Sequence, residues 1–138
     1  MTKRADVPPA VVDHLRAICE RLPETREETA WVGTRWRIRA KTFAHALHIE
    51  DGWPPAYARA ASTDGPATVL MLRSSSPELE ALVGTGHPFF STPWRADEVG
   101  MVLDDDVDWT EIAELVTESY CLLAPQHLAA SIDRPPDE

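Results

Sequence analysis

Residues 35–49, a continuous stretch without glycine or proline, constrain the fold of this chain more than any other segment. The stretch is longer than an average strand, so it predicts two strands joined by a tight turn near residues 39–41. Cations stand at every second position, namely Arg35, Arg37, Arg39 and Lys41. Because strand side chains alternate between faces, these cations share one face or gather at the tip of the hairpin.

The apolar residues of this hairpin predict which of its sides faces the core. Trp36 and Ile38 alternate with the cations on the first arm. We expect them to face the core together with four residues of the second arm, Phe43, His45, Leu47 and Ile49.

The charge of the chain is divided unevenly along its length. The formal net charge is −10, but residues 1–48 contain 9 Lys/Arg and 6 Asp/Glu, a balance of +3, whereas residues 49–138 contain 4 and 17, a balance of −13. A polyanion would be repelled by the second part and attracted only by a local patch on the first. A nucleic-acid partner is therefore expected at the four alternating cations.

Length and composition favour one domain. The 138 residues, 43% of them hydrophobic, suffice for a single core, and we expect residues 1–138 to form one domain with an ordered core over about 8–132. The sequence has no apolar run of the roughly 20 residues that a membrane span needs, and no secretion signal is recognisable. We therefore expect a cytoplasmic protein without membrane contact, with Cys19 and Cys121 as packing residues rather than a disulfide.

Hydrophobic periodicity and breaker residues predict the remaining elements. A three-and-four repeat of apolar residues predicts a helix over 8–22. The stretch 29–32 is β-prone, residues 50–66 contain several prolines and glycines typical of a loop, and the apolar run 67–72 predicts a strand covered on both faces.

The second half of the chain predicts two helices and a pair of strands. Ser76 is expected to cap a helix with Pro77 at its first position, and this helix should stop at Gly84. Residues 87–92 and 99–103 predict an antiparallel pair. Asp108 and Glu111 have capping-box spacing at the start of a longer helix, which Pro125 should end. Residues 125–132 predict one more short helix, and the tail from residue 133 is expected to be disordered.

Helices at both ends and in one connection, with strands between them, define the fold class. The order predicts a two-layer α+β domain with a mainly antiparallel sheet and N-terminal, middle and C-terminal helices.

The arrangement resembles the MmcQ/YjbR family of small bacterial proteins, which are similar to CyaY-type and secretion-chaperone-like folds. The resemblance lies in the motifs at residues 22–29, 36–44, 87–90 and 108–120, which in order and spacing cover most of residues 10–130. The family commonly has Gly-Gly-Lys between its two early strands, and here Arg39-Ala40-Lys41 takes that place. The resemblance implies a DNA-binding label, associated with a double-wing arrangement of hairpins, and no established activity.

The alternating cations allow two interpretations. They could contact phosphate, with Trp36 or Trp94 stacking on the bases of a single-stranded ligand. If all four met phosphates, duplex binding would weaken with salt at a log-log slope of about −3.6. Alternatively, they form a solvated face paired with Glu27, Glu28 or other acids.

A second hypothesis is a protein-interaction or chaperone-like module. Phe89 and Phe90 are adjacent, so a strand would send one ring inward and the other outward. The outward ring, together with Trp94, is a candidate partner-binding surface. A third possibility is a small-molecule site between sheet and helices.

No pattern in the sequence predicts catalysis. The aspartates Asp104, Asp105, Asp106 and Asp108 lack the spacing of a calcium loop. His45 and His48 should face opposite ways on a strand. Nucleophile-elbow, Walker and dinucleotide-binding glycine patterns do not occur. We therefore predict a binding protein that is not an enzyme, with no metal and no cofactor, and the sequence leaves its oligomeric state open.

Overall fold

The computed structural model describes residues 6–132. In them the elements follow the order α1 (Pro9–Cys19), β1 (Thr25–Thr29), β2 (Thr34–Ile38), β3 (Lys41–Ile49), α2 (Pro55–Ala61), β4 (Ala67–Arg73), α3 (Glu78–Thr85), β5 (Phe89–Ser91), β6 (Glu98–Leu103), α4 (Trp109–Leu123) and α5 (Gln126–Ala130). The tail from residue 133, predicted to be disordered, lies outside the described residues. Within residues 6–132 no helix is both long and apolar enough to cross a membrane.

The six strands form one open sheet in the order β1-β2-β3-β4-β6-β5, and every neighbouring pair is antiparallel. This confirms the predicted α+β class and antiparallel sheet. The hairpin of β2 and β3, the central strand β4 and the pair of β5 and β6 lie where the sequence predicts them.

One face of the sheet carries the main core and is covered by α1, α3, α4 and α5. Side chains of β2, β4 and β6 on this face meet Leu15 of α1 and Tyr120 of α4, both fully buried. Asp108 caps α4 by accepting hydrogen bonds from the backbone N–H groups of Thr110 (2.9 Å) and Glu111 (3.3 Å), as predicted. Packing of apolar helix faces against the sheet therefore holds this layer together. We call this side the helix face of the sheet.

Two segments contain regular elements that the sequence did not predict. Residues 25–29 form the edge strand β1, whereas the sequence placed a strand at 29–32. An edge strand can carry polar side chains on both faces. The polar residues Glu27 and Glu28 therefore gave no apolar alternation from which the strand could be predicted. Residues 50–66 contain α2, which begins with Pro55 at its first position, where a missing N–H costs nothing, and ends at Ser62 in the left-handed conformation. The prolines of this segment therefore belong to the start of a helix and not only to a loop.

Two helix boundaries also differ from the prediction. Helix α1 ends at Cys19 rather than near residue 22. Helix α3 begins at Glu78, with Pro77 before it, and runs through Gly84 to Thr85. The hydroxyl of Ser76 donates to the Glu80 carboxylate (2.5 Å) instead of capping the helix. A serine–proline pair followed by acids therefore identified the helix but not its capping bond.

A bulge in β3 corrects the predicted alternation of the hairpin. Arg37 pairs with Thr42 and Trp36 pairs with Ala44, so Phe43 is an extra residue on β3. Phe43 and Ala44 both join the helix-face core, and the next residue, His45, points to the opposite face. The prediction that His45, Leu47 and Ile49 face the same core as Phe43 was wrong for this reason. Leu47 and Ile49 are fully buried, but they pack under α2 in a second, smaller cluster.

Ser119 of α4 holds the bulge in place. Its hydroxyl is fully buried, donates to the carbonyl of Phe43 (2.6 Å) and accepts from the backbone N–H of Arg73 (2.8 Å). Both backbone groups would otherwise be buried without a partner, which is costly. One side chain thus ties the bulge of β3 and the end of β4 to the helix layer.

We expect Ser119→Ala to lower the free energy of unfolding by about 2 kcal/mol, because it leaves a buried carbonyl and a buried N–H unsatisfied. Urea unfolding followed by circular dichroism measures the change. Thr117→Ala is the matched control, since the Thr117 hydroxyl donates only to Ala113 within the same helix (2.7 Å). Equal effects of the two substitutions would contradict the assigned role of Ser119.

Candidate functional site on the open face of the sheet

Two of the four alternating cations share the face of the sheet opposite the helix face, which we call the open face. Trp36 and Ile38 are buried on the helix face, so Arg35 and Arg37 between them point the other way. Arg39 lies in the turn with a left-handed φ of 55°, and Lys41 begins β3. The structure therefore places Arg35 and Arg37 on the open face and Arg39 and Lys41 at the hairpin tip. This combines the two arrangements predicted from the sequence.

The arginines of the open face share one carboxylate. The Glu28 side chain lies 2.6 Å from Arg35, 3.2 Å from Arg37 and 3.9 Å from Arg26. Arg35 and Arg37 are therefore ion-paired with Glu28, as the second interpretation of the alternating cations expected. We call Arg26, Arg35, Arg37 and Glu28 the arginine cluster. Three guanidinium groups against one carboxylate leave it with a formal charge of +2.

At the hairpin tip the pairing is different. Arg39 lies 3.3 Å from Glu24, and both side chains are about half exposed. Lys41 is exposed and has no carboxylate within 4 Å among the described residues. Lys41 pairs with Ile38 across the hairpin and therefore adds one unneutralised charge at the hairpin tip.

The pairing lowers the pKa of Glu28. A hydrogen bond from Arg35 is the main cause, and one from Arg37 adds to it. Glu28 is therefore ionised at neutral pH and aligns the guanidinium groups on the sheet.

Glu27, the neighbour of Glu28, points to the helix face. Its carboxylate accepts hydrogen bonds from Arg16 of α1 (2.9 Å) and from Nε1 of Trp36 (3.1 Å), and the bond from Arg16 holds the pKa of Glu27 below its usual range. Trp36 is only 2% exposed. The structure thus excludes Trp36 as a stacking surface for a ligand and gives it a core position with a satisfied indole N–H.

The predicted aromatic surface is divided between core and groove. Phe89 packs against the helix-face core and Phe90 against the cluster under α2, so both rings are half-buried. The ring of Phe90 covers Gly100, where an added Cβ would lie 2.1 Å from Cζ, so this strand position needs a glycine. Trp94 is exposed (43%). Of the three predicted partner-binding residues, Trp94 is thus the one that offers an open surface.

A groove on the open face brings a predicted cation and a predicted aromatic residue together. The cavity, about 350 Å³ in volume, is lined by Arg35 and Trp94 and by several residues that the sequence did not identify, among them Trp31, His45, Tyr57, Arg73, Arg95 and Glu98. We call it the open-face groove. It lies on the sheet beside α2, so it could not be located without that helix and without the bulge that turns His45 towards it.

Aromatic contacts shape the walls of the groove. The rings of Tyr57 and Trp94 meet edge to face at 5.1 Å, and those of His45 and Tyr57 at 6.3 Å. Nε1 of Trp94 donates to Glu98 (2.8 Å). These contacts fix the orientation of the Trp94 indole, so the groove is preformed.

Ion pairing and burial set the charges within the groove. Arg73 lies 3.0 Å from Asp97. Nε2 of His45 donates to the carbonyl of Val32 (2.6 Å), and burial lowers the pKa of His45. His45 is therefore neutral at pH 7, and the groove takes its positive charge from arginines.

The other chemistry considered for the sequence does not assemble into a site. No group of three or more His, Cys, Asp or Glu in residues 6–132 could hold a metal ion. Cys19 is buried and in no disulfide bond, and burial raises the pKa of its thiol. Cys19 is therefore a packing residue, as predicted.

The fold and the groove define an α+β domain with an open antiparallel sheet, which carries α1, α3, α4 and α5 on one face and α2 beside the open-face groove on the other. The sequence model of the YjbR family matches residues 20–122, and the chain belongs to this family. The crystal structure of Deinococcus radiodurans protein DR2400, which has a DUF419 domain, is similar with a TM-score of 0.56. It is 20% identical, and the match covers 81% of this chain and 77% of that one. No curated protein matches the sequence.

The burial of His45 predicts a pH dependence of stability. Its pKa is lower in the folded state than the ordinary value of about 6.5 in an unfolded chain, so its contribution is complete above that pH and is lost as the pH falls below it. We expect the melting temperature of the wild type to fall more between pH 7.5 and pH 5.5 than that of His45→Gln. His127→Gln, at an exposed position, is the control and should behave as the wild type. Parallel curves for all three proteins would refute the expectation.

Proposed function

We propose that this protein is a non-enzymatic binding domain that contacts the phosphate backbone of DNA through the arginine cluster and Lys41. The sharing of Glu28 among three guanidinium groups carries the proposal. A carboxylate can neutralise only one unit of charge, so the cluster retains attraction for an anion although its arginines are paired.

The pairing has a measurable consequence for salt dependence. The arginine cluster contributes a formal charge of +2 and Lys41 contributes +1. Three effective phosphate contacts give a log-log slope of about −2.7 for a duplex and about −2.1 for a single strand. The duplex slope is shallower than the roughly −3.6 expected for a duplex if all four predicted cations were unpaired.

The charge of the rest of the chain restricts where DNA can lie. Residues 49–138 carry a formal charge of −13. At physiological salt the Debye length is about 8 Å, so repulsion from surfaces farther away than that is largely screened. Contact confined to the open face near β1 and β2 is therefore tolerated, whereas a ligand wrapped around the domain is disfavoured.

Glu28→Gln tests this directly, because it removes the carboxylate that the three arginines share. We expect DNA affinity at low salt to rise several-fold and the salt slope to steepen by about one unit. Fluorescence anisotropy with a labelled single-stranded oligonucleotide over a series of salt concentrations measures both quantities.

Glu114→Gln on α4 is the matched control, since it changes the net charge equally at an exposed position on the helix side of the sheet. Arg35→Gln/Arg37→Gln should weaken binding. If the two glutamate variants bind equally well, or if the wild type does not bind at low salt, the arginine cluster is not a DNA site.

A second candidate function is favoured by one exposed side chain. Trp31, between β1 and β2, is 81% exposed, and its ring lies 5.4 Å from that of Trp53. Large exposed aromatic side chains are typical of protein interfaces. This supports the alternative of a protein-interaction module, with the binding surface at Trp31 rather than at Phe89 and Phe90.

Trp31→Ser tests the second candidate. We expect it to abolish retention of a partner from native lysate in a pull-down, because truncating a central aromatic residue removes much of the binding energy of an interface. Leu122→Ser is the control, since Leu122 is also an exposed hydrophobic side chain (43%) but lies on α4. Identical sets of retained proteins for the two variants and the wild type would argue against a partner site at Trp31.

A further inference from the structure

The open-face groove combines three features: aromatic walls, arginines and a ligand-sized volume. Its volume of about 350 Å³ lies at the lower end of the range of about 300–1,000 Å³ found for small-molecule pockets. A single nucleotide unit suits a site of this size better than an extended peptide does.

The aromatic side chains give the groove affinity for a flat ring. Trp31 and Trp94 both line it and are both substantially exposed, at 81% and 43%. Exposed indoles offer π-faces on which a base can stack irrespective of its identity. Tyr57 contacts Trp94 edge to face and supports it from the side.

The arginines give the groove affinity for an anion attached to that ring. Residues 49–138 contain only four arginines and no lysine, yet Arg73 and Arg95 both line this one groove. Arg35 lines it as well and belongs to the arginine cluster. Arg95 is exposed and has no carboxylate within 4 Å among the described residues, so it is available to a phosphate.

From this combination we infer that the open-face groove binds one unpaired nucleobase by stacking on its tryptophans, with the attached phosphate held by Arg95 and Arg35. The inference rests on the proposed function and deepens it, because the groove adjoins the arginine cluster through Arg35. Bases of a duplex are stacked inside the helix and cannot enter the groove, so the protein prefers single strands. A free nucleotide has the same chemistry and occupies the same site.

An abasic oligonucleotide separates the groove from the arginine cluster. It has the same deoxyribose-phosphate backbone as an oligothymidylate of equal length but no bases. We expect the wild type to bind the oligothymidylate about tenfold more tightly than the abasic strand, since base–aromatic stacking makes a contribution of that order. Fluorescence anisotropy at low salt gives both dissociation constants.

Substitution of the tryptophans tests which residues carry the preference. Trp94→Leu and Trp31→Leu should each reduce the ratio towards one while leaving the affinity for the abasic strand unchanged. Trp31 is so exposed that its replacement will not unfold the domain, which keeps the test valid if Trp94→Leu is unstable. Leu122→Ala on α4 is the control and should retain the full ratio.

Each outcome decides between the two proposals. Equal binding of the two strands by the wild type would overturn the base site and leave the arginine cluster intact. Binding of thymidine monophosphate, seen as quenching of tryptophan fluorescence that Trp94→Leu removes, would support the groove even if no strand binds, and would then assign it to free nucleotides. Absence of binding by both strands and by the nucleotide would overturn the DNA function and the base site together.

Discussion

The extra residue in β3 is the constraint on which the arrangement of both sheet faces depends. Without the bulge at Phe43, strict alternation would send His45, Leu47 and Ile49 to the helix face. With it, Phe43 and Ala44 both fill the helix-face core, and the remainder of β3 supplies the floor of the second face. The hydroxyl of Ser119 makes this register stable by accepting from one strand and donating to the other. The groove therefore depends on the register that the bulge sets, and the buried Ser119 hydroxyl satisfies backbone groups beside it.

The arginine cluster shows how exposed ion pairs can be compatible with binding. Surface pairs contribute little to stability, because solvent competes with each partner and screens their attraction. This applies to the pairs of Arg26 and Arg35, whose side chains are 60% and 38% exposed, and less to that of Arg37, whose side chain is 21% exposed. Glu28 lies on the same face and aligns the guanidinium groups, which reduces the entropy lost when they meet a ligand. Pairing with Glu28 therefore lowers the charge of the cluster while it aligns the guanidinium groups.

Local signals allowed much of the fold to be predicted from the sequence. The hairpin, β4 and the cap of α4 each depend on residues within one short segment: alternating cations, an apolar run, and Asp108 with its spacing to Glu111. The missed features depend on partners distant in sequence. The polar edge strand β1 is a strand only because β2 pairs with it, and the bulge is visible only in the pairing of two strands. Helix α2 was missed because Pro54 and Pro55 at its start are typical of a loop.

The same limit applies to the candidate site. Arg35 and Trp94 were identified as separate candidates, one for phosphate and one for an apolar partner, because each stood out against its own neighbours. Their common groove also needs Tyr57 from α2 and Arg95 from the segment between β5 and β6, which no spacing rule connects.

The charge division of the chain takes on a structural meaning in the folded domain. The acidic part contributes two of its four arginines to a groove whose opposite side comes from the basic part. Acidic surface within the Debye length of about 8 Å at physiological salt repels an anion, so electrostatics disfavours anion contact away from the groove. A strongly negative chain can in this way bring positive side chains together on one face without a large basic patch.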